Sequence, residues 1–205
     1  MKAMTEIDPQ LVKKLREKTN AGMMDCKRAL VEASGDFAKA EAILRSKGIA
    51  SASKRASRAT KEGIIASYIH QQGKVGVLVE VNCETDFVAK NENFRGFVKD
   101  ITLHIAAAHP LYVSRGDVPS NLIEAEREIY KAQAKGKPEN VEEKIIDGKL
   151  DKFYSTVCLL EQGFIKNPDQ TIGDLVKAKI TELGENIVIR RFTRYLMGEP
   201  LSSEL

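Results

Sequence analysis

The sequence predicts an α+β protein, with a bundle of three short helices followed by a core domain in which helices cover an antiparallel sheet. Three observations carry this. Apolar residues recur at helical spacing three times within the first fifty residues, each time between strong breakers. Residues 64–81 then hold two strand-like runs around a polar turn, Gln71-Gln72-Gly73-Lys74. Beyond Asn91 the period becomes helical again, until the segment Asn186–Leu196, whose Ile187 and Ile189 alternate with other residues, reads as a strand joining the hairpin.

Asp8-Pro9 opens the first helix, with a capping residue before a proline whose missing N–H costs nothing at the first helical position. Leu11, Val12 and Leu15 mark its apolar face, and Thr19–Gly22 ends it. The second helix runs from about Met23 to Ala33, with Met23, Cys26, Leu30 and Ala33 in line. Ser34-Gly35-Asp36 breaks it, Asp36 caps a third helix carrying Phe37, Ala40, Ile43 and Leu44, and Gly48 is expected to close it. Residues 1–49 therefore form one three-helix domain. Residues 50–62 are rich in Ala and Ser, carry Lys54, Arg55, Arg58 and Lys61, and read as a mobile or weakly helical linker. Residues 63–205 make the core.

In that core, Ile64–His70 and Val75–Val81 form the hairpin, and the second strand is Val/Leu-rich as a buried strand should be. Phe94, Phe97, Val98, Ile101, Ile105 and Ala108 make the stripe of a long helix that stops at His109-Pro110. Pro119 onward gives another helix with Leu122, Ile123, Ile129 and Tyr130. A longer one follows Pro138, with Gly148 as an expected interruption. Thr171-Ile172-Gly173-Asp174 is a relative of the capping box and starts a helix bearing Leu175, Val176, Ile180 and Leu183.

Composition bounds the function classes. The apolar share of 42% beside 30% charged residues is that of an ordinary globular chain, and no apolar run approaches the roughly 20 residues that span a bilayer. Met1–Glu6 lacks the apolar segment of a secretory signal. Cys26, Cys83 and Cys158 are odd in number and widely spaced, so reduced thiols in a cytoplasmic protein are expected. Residues 1–61 carry 14 Lys/Arg against 7 Asp/Glu, whereas residues 62–205 carry 18 against 22. A basic head of this kind serves nucleic acid or an acidic protein surface equally well. There is no P-loop, GxGxxG, HExxH or GxSxG motif. His104 and His109 are five apart and project at different angles, a poor metal pair. No enzymatic activity, metal or cofactor is expected.

Two segments point to function. The first is Thr85-Asp86-Phe87-Val88-Ala89-Lys90-Asn91, where a phenylalanine stands beside a carboxylate just past the hairpin. Spacing alone favours a ring tucked under its own helix; a wedge aimed at a partner is the alternative. The second is Arg16–Leu30, with adjacent Met23 and Met24. Neighbours on a helix differ by about 100° in direction, so both cannot face one bundle interior. Met23 falls on the core stripe, which leaves Met24 exposed, and flexible thioethers suit an adaptable protein contact.

Together with Glu80–Asn91 and Leu183–Phe192, these segments resemble the bacterial-type elongation factor Ts family over nearly the whole chain. The resemblance implies a ubiquitin-associated-like N-terminal domain and a non-enzymatic guanine-nucleotide exchange factor for elongation factor Tu in translation. It implies that the face matching Arg16, Met23, Met24 and Lys27 holds the GTPase domain. The positions matching Thr85, Asp86, Phe87 and Val88 would intrude beside the partner's Mg²⁺ and phosphate site and dislocate the ion. Longer members have two related core halves, a coiled-coil insertion and a C-terminal helical extension, whereas this chain has room for one core half. It is similar to the short type, which implies a homodimer and a two-plus-two complex. The competing reading is an RNA- or ribosome-binding module using the basic head and linker; it leaves Phe87 and the acidic core unexplained. A ubiquitin-associated-type domain for another protein is a third. Specific nucleic-acid binding, a small-molecule substrate and membrane association are not expected.

Overall fold

The computed structural model describes residues 7–19, 21–136 and 138–200. The reading of Met1–Glu6 and the Asn20 of the N-terminal signature lie outside them. The chain divides into two compact units: Met1–Gly63 with Asn82–Phe94 and Val176–Val188, and Ile64–Val81 with Arg95–Leu175 and Ile189–Leu205. No helix among the described residues is long and apolar enough to cross a membrane.

The first unit begins with helices α1 (Pro9–Thr19), α2 (Met23–Glu32) and α3 (Phe37–Arg55). Their facing stripes enclose Val12, Leu15, Cys26, Ala29, Leu30, Ala33, Ala40 and Leu44, with Leu11, Phe37 and Ile43 packed at the rim. Asp36 caps α3 by accepting from Lys39 N–H at 3.0 Å. Two expectations are corrected here. Met23 does not join the core: it is 50% exposed, because α2 starts at this residue and the buried stripe is Cys26, Ala29, Leu30 and Ala33. Nor does Gly48 end α3, which continues into the Ala/Ser segment as far as Arg55. A Cβ at Gly48 would stand 3.1 Å from Thr181 Oγ1, and that hydroxyl donates to the Gly48 carbonyl. The glycine permits a close approach of α8 (Ile172–Leu183) rather than a stop.

Strands β1 (Glu62–His70), β2 (Val75–Cys83) and β5 (Val188–Leu196) form one sheet with β2 in the centre. Gln71, Gln72 and Gly73 all take positive φ to turn the hairpin. Alternation along β2 is strict: Val75, Val77, Val79, Val81 and Cys83 are buried, while Leu78 faces out. Between the β2 and β5 strands come α4 (Asp86–Lys90), α5 (Glu92–Ala108), α6 (Ser120–Ala134), α7 (Glu139–Val157), a small hairpin β3 (Gly163–Phe164) and β4 (Asn167–Thr171), and α8. Helix α5 buries Phe94, Phe97, Val98, Ile101 and Ile105 as its period predicted.

Helices α6 and α7 pack as a hairpin around Ala134, Ile146 and Leu150. Gly148 does not interrupt α7; a Cβ there would meet nothing within 4 Å, so its cost is only the helix propensity of glycine, about 1 kcal/mol. On the outer face of the sheet, Ile65, Ile69, Leu78 and Tyr195 are all exposed.

Within the second unit, His104 is fully buried. Its Nδ1 accepts from Ile165 N–H at 3.3 Å, which fixes the proton on Nε2, and Nε2 donates to Gln162 Oε1 at 3.0 Å. Gln162 in turn donates to the Thr156 and Ala108 carbonyls. Burial holds the imidazole below its ordinary pKa, against the opposing effect of the Gln162 hydrogen bond.

Candidate partner-docking site

Strand β2 ends at Cys83, and the chain turns at once into α4, a helix of five residues. Thr85 is extended (φ −128°, ψ 157°) and its hydroxyl accepts from Val88 N–H at 3.4 Å, so it is the helix cap. Phe87 therefore stands on the first turn of a capped helix. Side chains on so short a helix divide by direction. Ala89 is buried and Val88 half-buried, which turns Phe87 outward. At 86% exposure, Phe87 has the highest value among the large exposed hydrophobic residues described. The ring does not tuck under its own helix.

Asp86 forms an exposed ion pair with Lys90, one turn on, at 2.7 Å. The hydrogen bond from Lys90, and then its charge, holds the Asp86 carboxyl below its ordinary pKa, and Lys90 is raised by the same contact. The carboxylate is therefore ionised but locally balanced, which the spacing of Asp86 beside Phe87 did not reveal.

Behind α4 lies a second layer of polar groups. Gly184 (φ +77°) ends α8, its N–H bonding to the Ile180 carbonyl, and delivers Glu185 to the start of α4. One Glu185 oxygen accepts from the N–H groups of Glu84 (3.1 Å) and Thr85 (3.0 Å), and the other from the Thr85 hydroxyl (2.6 Å). Glu84 accepts from Asn186 N–H at 2.6 Å and faces Arg58 at 3.5 Å. Asn186, itself buried, donates to the Arg58 carbonyl at 2.9 Å and to that of Ala56 at 3.3 Å. Glu185 and Asn186 fall in the Leu183–Phe192 segment and Arg58 in the basic Ala/Ser segment, but no sequence pattern placed any of them beside Thr85, because the pairings join segments far apart in the chain.

Cys83 is placed as a packing residue. Its thiol is buried, donates to the Thr85 carbonyl, and is pushed up to about 11, first by burial and then by the Glu185 charge. Among the described residues no cluster of His, Cys, Asp or Glu suits a metal ion.

The other predicted residues lie on α1 and α2 of the same compact unit. Arg16, Met23, Met24 and Lys27 are all exposed, with Met24 at 64%. Met23 and Lys27 are four apart and so share a helix face. Asp25 pairs with Arg28, leaving both methionines bare beside an ion pair. A flexible apolar pair rimmed by charge is a surface suited to a protein partner.

The sequence model of the family described as Elongation factor TS matches residues 50–199. The chain is 59% identical over 200 residues to an Elongation factor Ts from Carboxydothermus hydrogenoformans, covering 97% of this chain and 92% of that protein. It is 56% identical over 195 residues to that of Geobacter sulfurreducens (94% and 90% covered). To that of Thermoanaerobacter pseudethanolicus it is 56% identical over 199 residues (96% and 98%).

Proposed function

This chain belongs to the elongation factor Ts family, and on that premise we propose that it is the guanine-nucleotide exchange factor of elongation factor Tu, a binding partner and not an enzyme. It engages the GDP-loaded GTPase, disturbs its Mg²⁺ and phosphate site, and promotes GDP release so that GTP can bind during elongation in the cytoplasm. The observation that carries this reading is Phe87, an aromatic ring held in solvent on a capped helix beside an ionised carboxylate. A ring this exposed adds little to the packing of the described residues.

The roles divide by location. Arg16, Met23, Met24 and Lys27 provide the holding face. Phe87, carried by Thr85, Asp86 and Val88, is the wedge that enters an apolar recess of the GTPase. Mg²⁺ requires near-ideal octahedral geometry, so a small displacement of its ligands is costly to binding. Lys90 holds one Asp86 oxygen, which leaves the other to meet donors at that site, and an exposed ion pair of this type opens readily.

Exchange is a linkage problem: a factor that weakens nucleotide binding must itself be weakened by nucleotide to the same extent. If that factor were ~10⁴, the coupling would be about 5.5 kcal/mol. Burying one phenylalanine gives roughly 1.5–3 kcal/mol. The wedge therefore needs the binding energy of the α1–α2 face.

We further propose a homodimer, and hence a two-plus-two complex, formed through the outer face of the sheet. Ile65, Ile69, Leu78 and Tyr195 lie exposed on it, a surface that a second copy would cover. The RNA-binding alternative is weakened by the basic segment itself, where Arg55 bonds Ser51 and Arg58 faces Glu84.

The direct test is release of fluorescent GDP from the elongation factor Tu of the same organism, with and without this chain at fixed magnesium. Acceleration that saturates with the chain's concentration is expected. An unchanged release rate with a folded partner would overturn the reading.

A further inference from the structure

We propose that Glu185 is a positioning residue for exchange: its carboxylate fixes the direction of the Phe87 helix by gathering three donors at that helix's start. The proposal rests on the exchange reading above.

A helix of five residues cannot hold itself. Isolated helices below roughly 12–15 residues are marginal in water. Inside α4 the turn is closed by the Thr85 carbonyl accepting from Ala89 N–H at 3.2 Å and by the Thr85 cap. At its far end only Asn91 separates it from α5, and the Asn91 side chain accepts from Asn93 N–H at 2.8 Å, fixing the start of that helix. The C-terminal side is thus set by α5. On the N-terminal side, where the chain leaves β2, the two consecutive backbone N–H groups of Glu84 and Thr85 donate to a side chain. Glu185 takes both with one oxygen and the Thr85 hydroxyl with the other, from a position 100 residues away in sequence.

The geometry has two consequences. First, Thr85 is engaged twice: its hydroxyl donates to Glu185 while accepting from Val88 N–H, so the cap of α4 and its anchor are one chain of hydrogen bonds. Second, Glu185 is itself fixed on both sides. Gly184 takes a φ of +77° that ends α8, and Asn186 is tied to the Glu84 side chain and to the Ala56 and Arg58 carbonyls. A carboxylate suits this place because it is acceptor-only and all three groups that face it are donors. An amide would turn one N–H toward them.

Phe87 is 86% exposed, so its direction follows from that of α4. Releasing Glu185 would let the helix sample other orientations and dilute the one that enters the partner. With docking carried by the α1–α2 face, the maximal release rate falls in proportion to the fraction of docked chains whose α4 points into the partner.

The experiment uses the full chain with Glu185→Gln and Glu185→Ala. Glutamine keeps the shape, so it reports even if alanine proves unstable. Amide hydrogen exchange of Glu84, Thr85 and Val88 is read in the free protein, and GDP release is read against factor concentration. We expect faster exchange at those amides and a maximal release rate lower by about tenfold in Glu185→Gln, equivalent to about 1.4 kcal/mol. The half-saturating concentration stays near that of the parent, since the α1–α2 face is untouched. Glu185→Gln placed on Phe87→Ala should cost nothing more. Amides that stay protected, a parent-like maximal rate, or additive losses in the double variant would each overturn the role of Glu185 while leaving the exchange reading in place. A parent that does not accelerate release would overturn both.

Discussion

Replacing Phe87 by alanine separates a wedge from a core residue. With 86% of Phe87 exposed, the substitution removes little packing from the free chain, and its stability should move by no more than about 0.5 kcal/mol. Against the partner the arithmetic differs. Burying the ring contributes about 1.5–3 kcal/mol, and each 1.4 kcal/mol is a factor of about ten. Loss of the ring should therefore lower exchange efficiency by about 10- to 150-fold. If the ring acts mainly after docking, the loss falls on the maximal release rate, because only energy gained in the nucleotide-loosened state accelerates release. Stopped-flow release of fluorescent GDP over a concentration series gives both parameters, and thermal melting gives the stability control. Leucine at the same position keeps an apolar side chain and should lose less. Release within twofold of the parent would refute the argument. So would a melting point lowered by several degrees, since the ring would then be serving its own fold.

The face proposed to hold elongation factor Tu makes a different prediction: Met23→Ala and Met24→Ala should each weaken binding to it several-fold, by about 1 kcal/mol, with melting unchanged, as titration calorimetry would record. Ile65→Lys with Ile69→Lys should convert a dimer to monomers in sedimentation analysis, and a parent already monomeric at every concentration would remove the dimer proposal. Cys83 and Cys158 are both pushed up to about 11 by burial, and Cys26 is raised for the same reason; a thiol reagent at pH 8 should label none of the three in the native protein and all three once it is unfolded. His104 sets a pH dependence. Its folded pKa lies below the unfolded value of about 6.5, so the unfolded chain binds more protons in that interval, and stability falls as the pH drops from about 6.5 toward the folded value. His104→Gln should flatten the melting-temperature profile between pH 7 and 5, whatever it does to the absolute value.

Periodicity carried the parts of the fold that periodicity encodes. Val12, Leu15, Cys26, Leu30 and Leu44 are buried where their spacing placed them, and so are Val75, Val77, Val79 and Val81, and Phe94, Phe97, Val98, Ile101 and Ile105, whereas Leu78 faces out. It failed at ends and at glycines. Met23 has the right angle for the core but stands on the first residue of α2, beyond the reach of the facing helices. Gly48 and Gly148 read as stops, yet one serves a close approach to Thr181 and the other faces open space. The β3–β4 hairpin has strands of two and five residues, too short for alternation to register. At the site, Thr85 to Val88 were legible as a motif. Glu185 fell inside the Leu183–Phe192 segment, but its role as their anchor was not legible, because no local pattern pairs it with a threonine 100 residues upstream.

A ring held in water is a cost that a flexible loop would avoid by letting the aromatic fold back, and the short helix α4 denies Phe87 that escape. The reason lies in where ordering entropy falls. Fixing a residue's backbone costs about 1–2 kcal/mol. If the turn around Phe87 became ordered only upon docking, several residues would charge that cost against a ring gaining roughly 1.5–3 kcal/mol, and little would remain to displace a bound ion. Here Thr85, Glu185 and Asn186 order the turn during folding, so the energy of seating the ring is left for work on the partner. On the exchange reading proposed above, the same logic would account for the bare methionines on α2: docking energy gathered by flexible side chains would offset the distortion that a rigid wedge imposes. Stiffness at Phe87 and adaptability at Met23 and Met24 are therefore complementary, and exchanging them would weaken both functions.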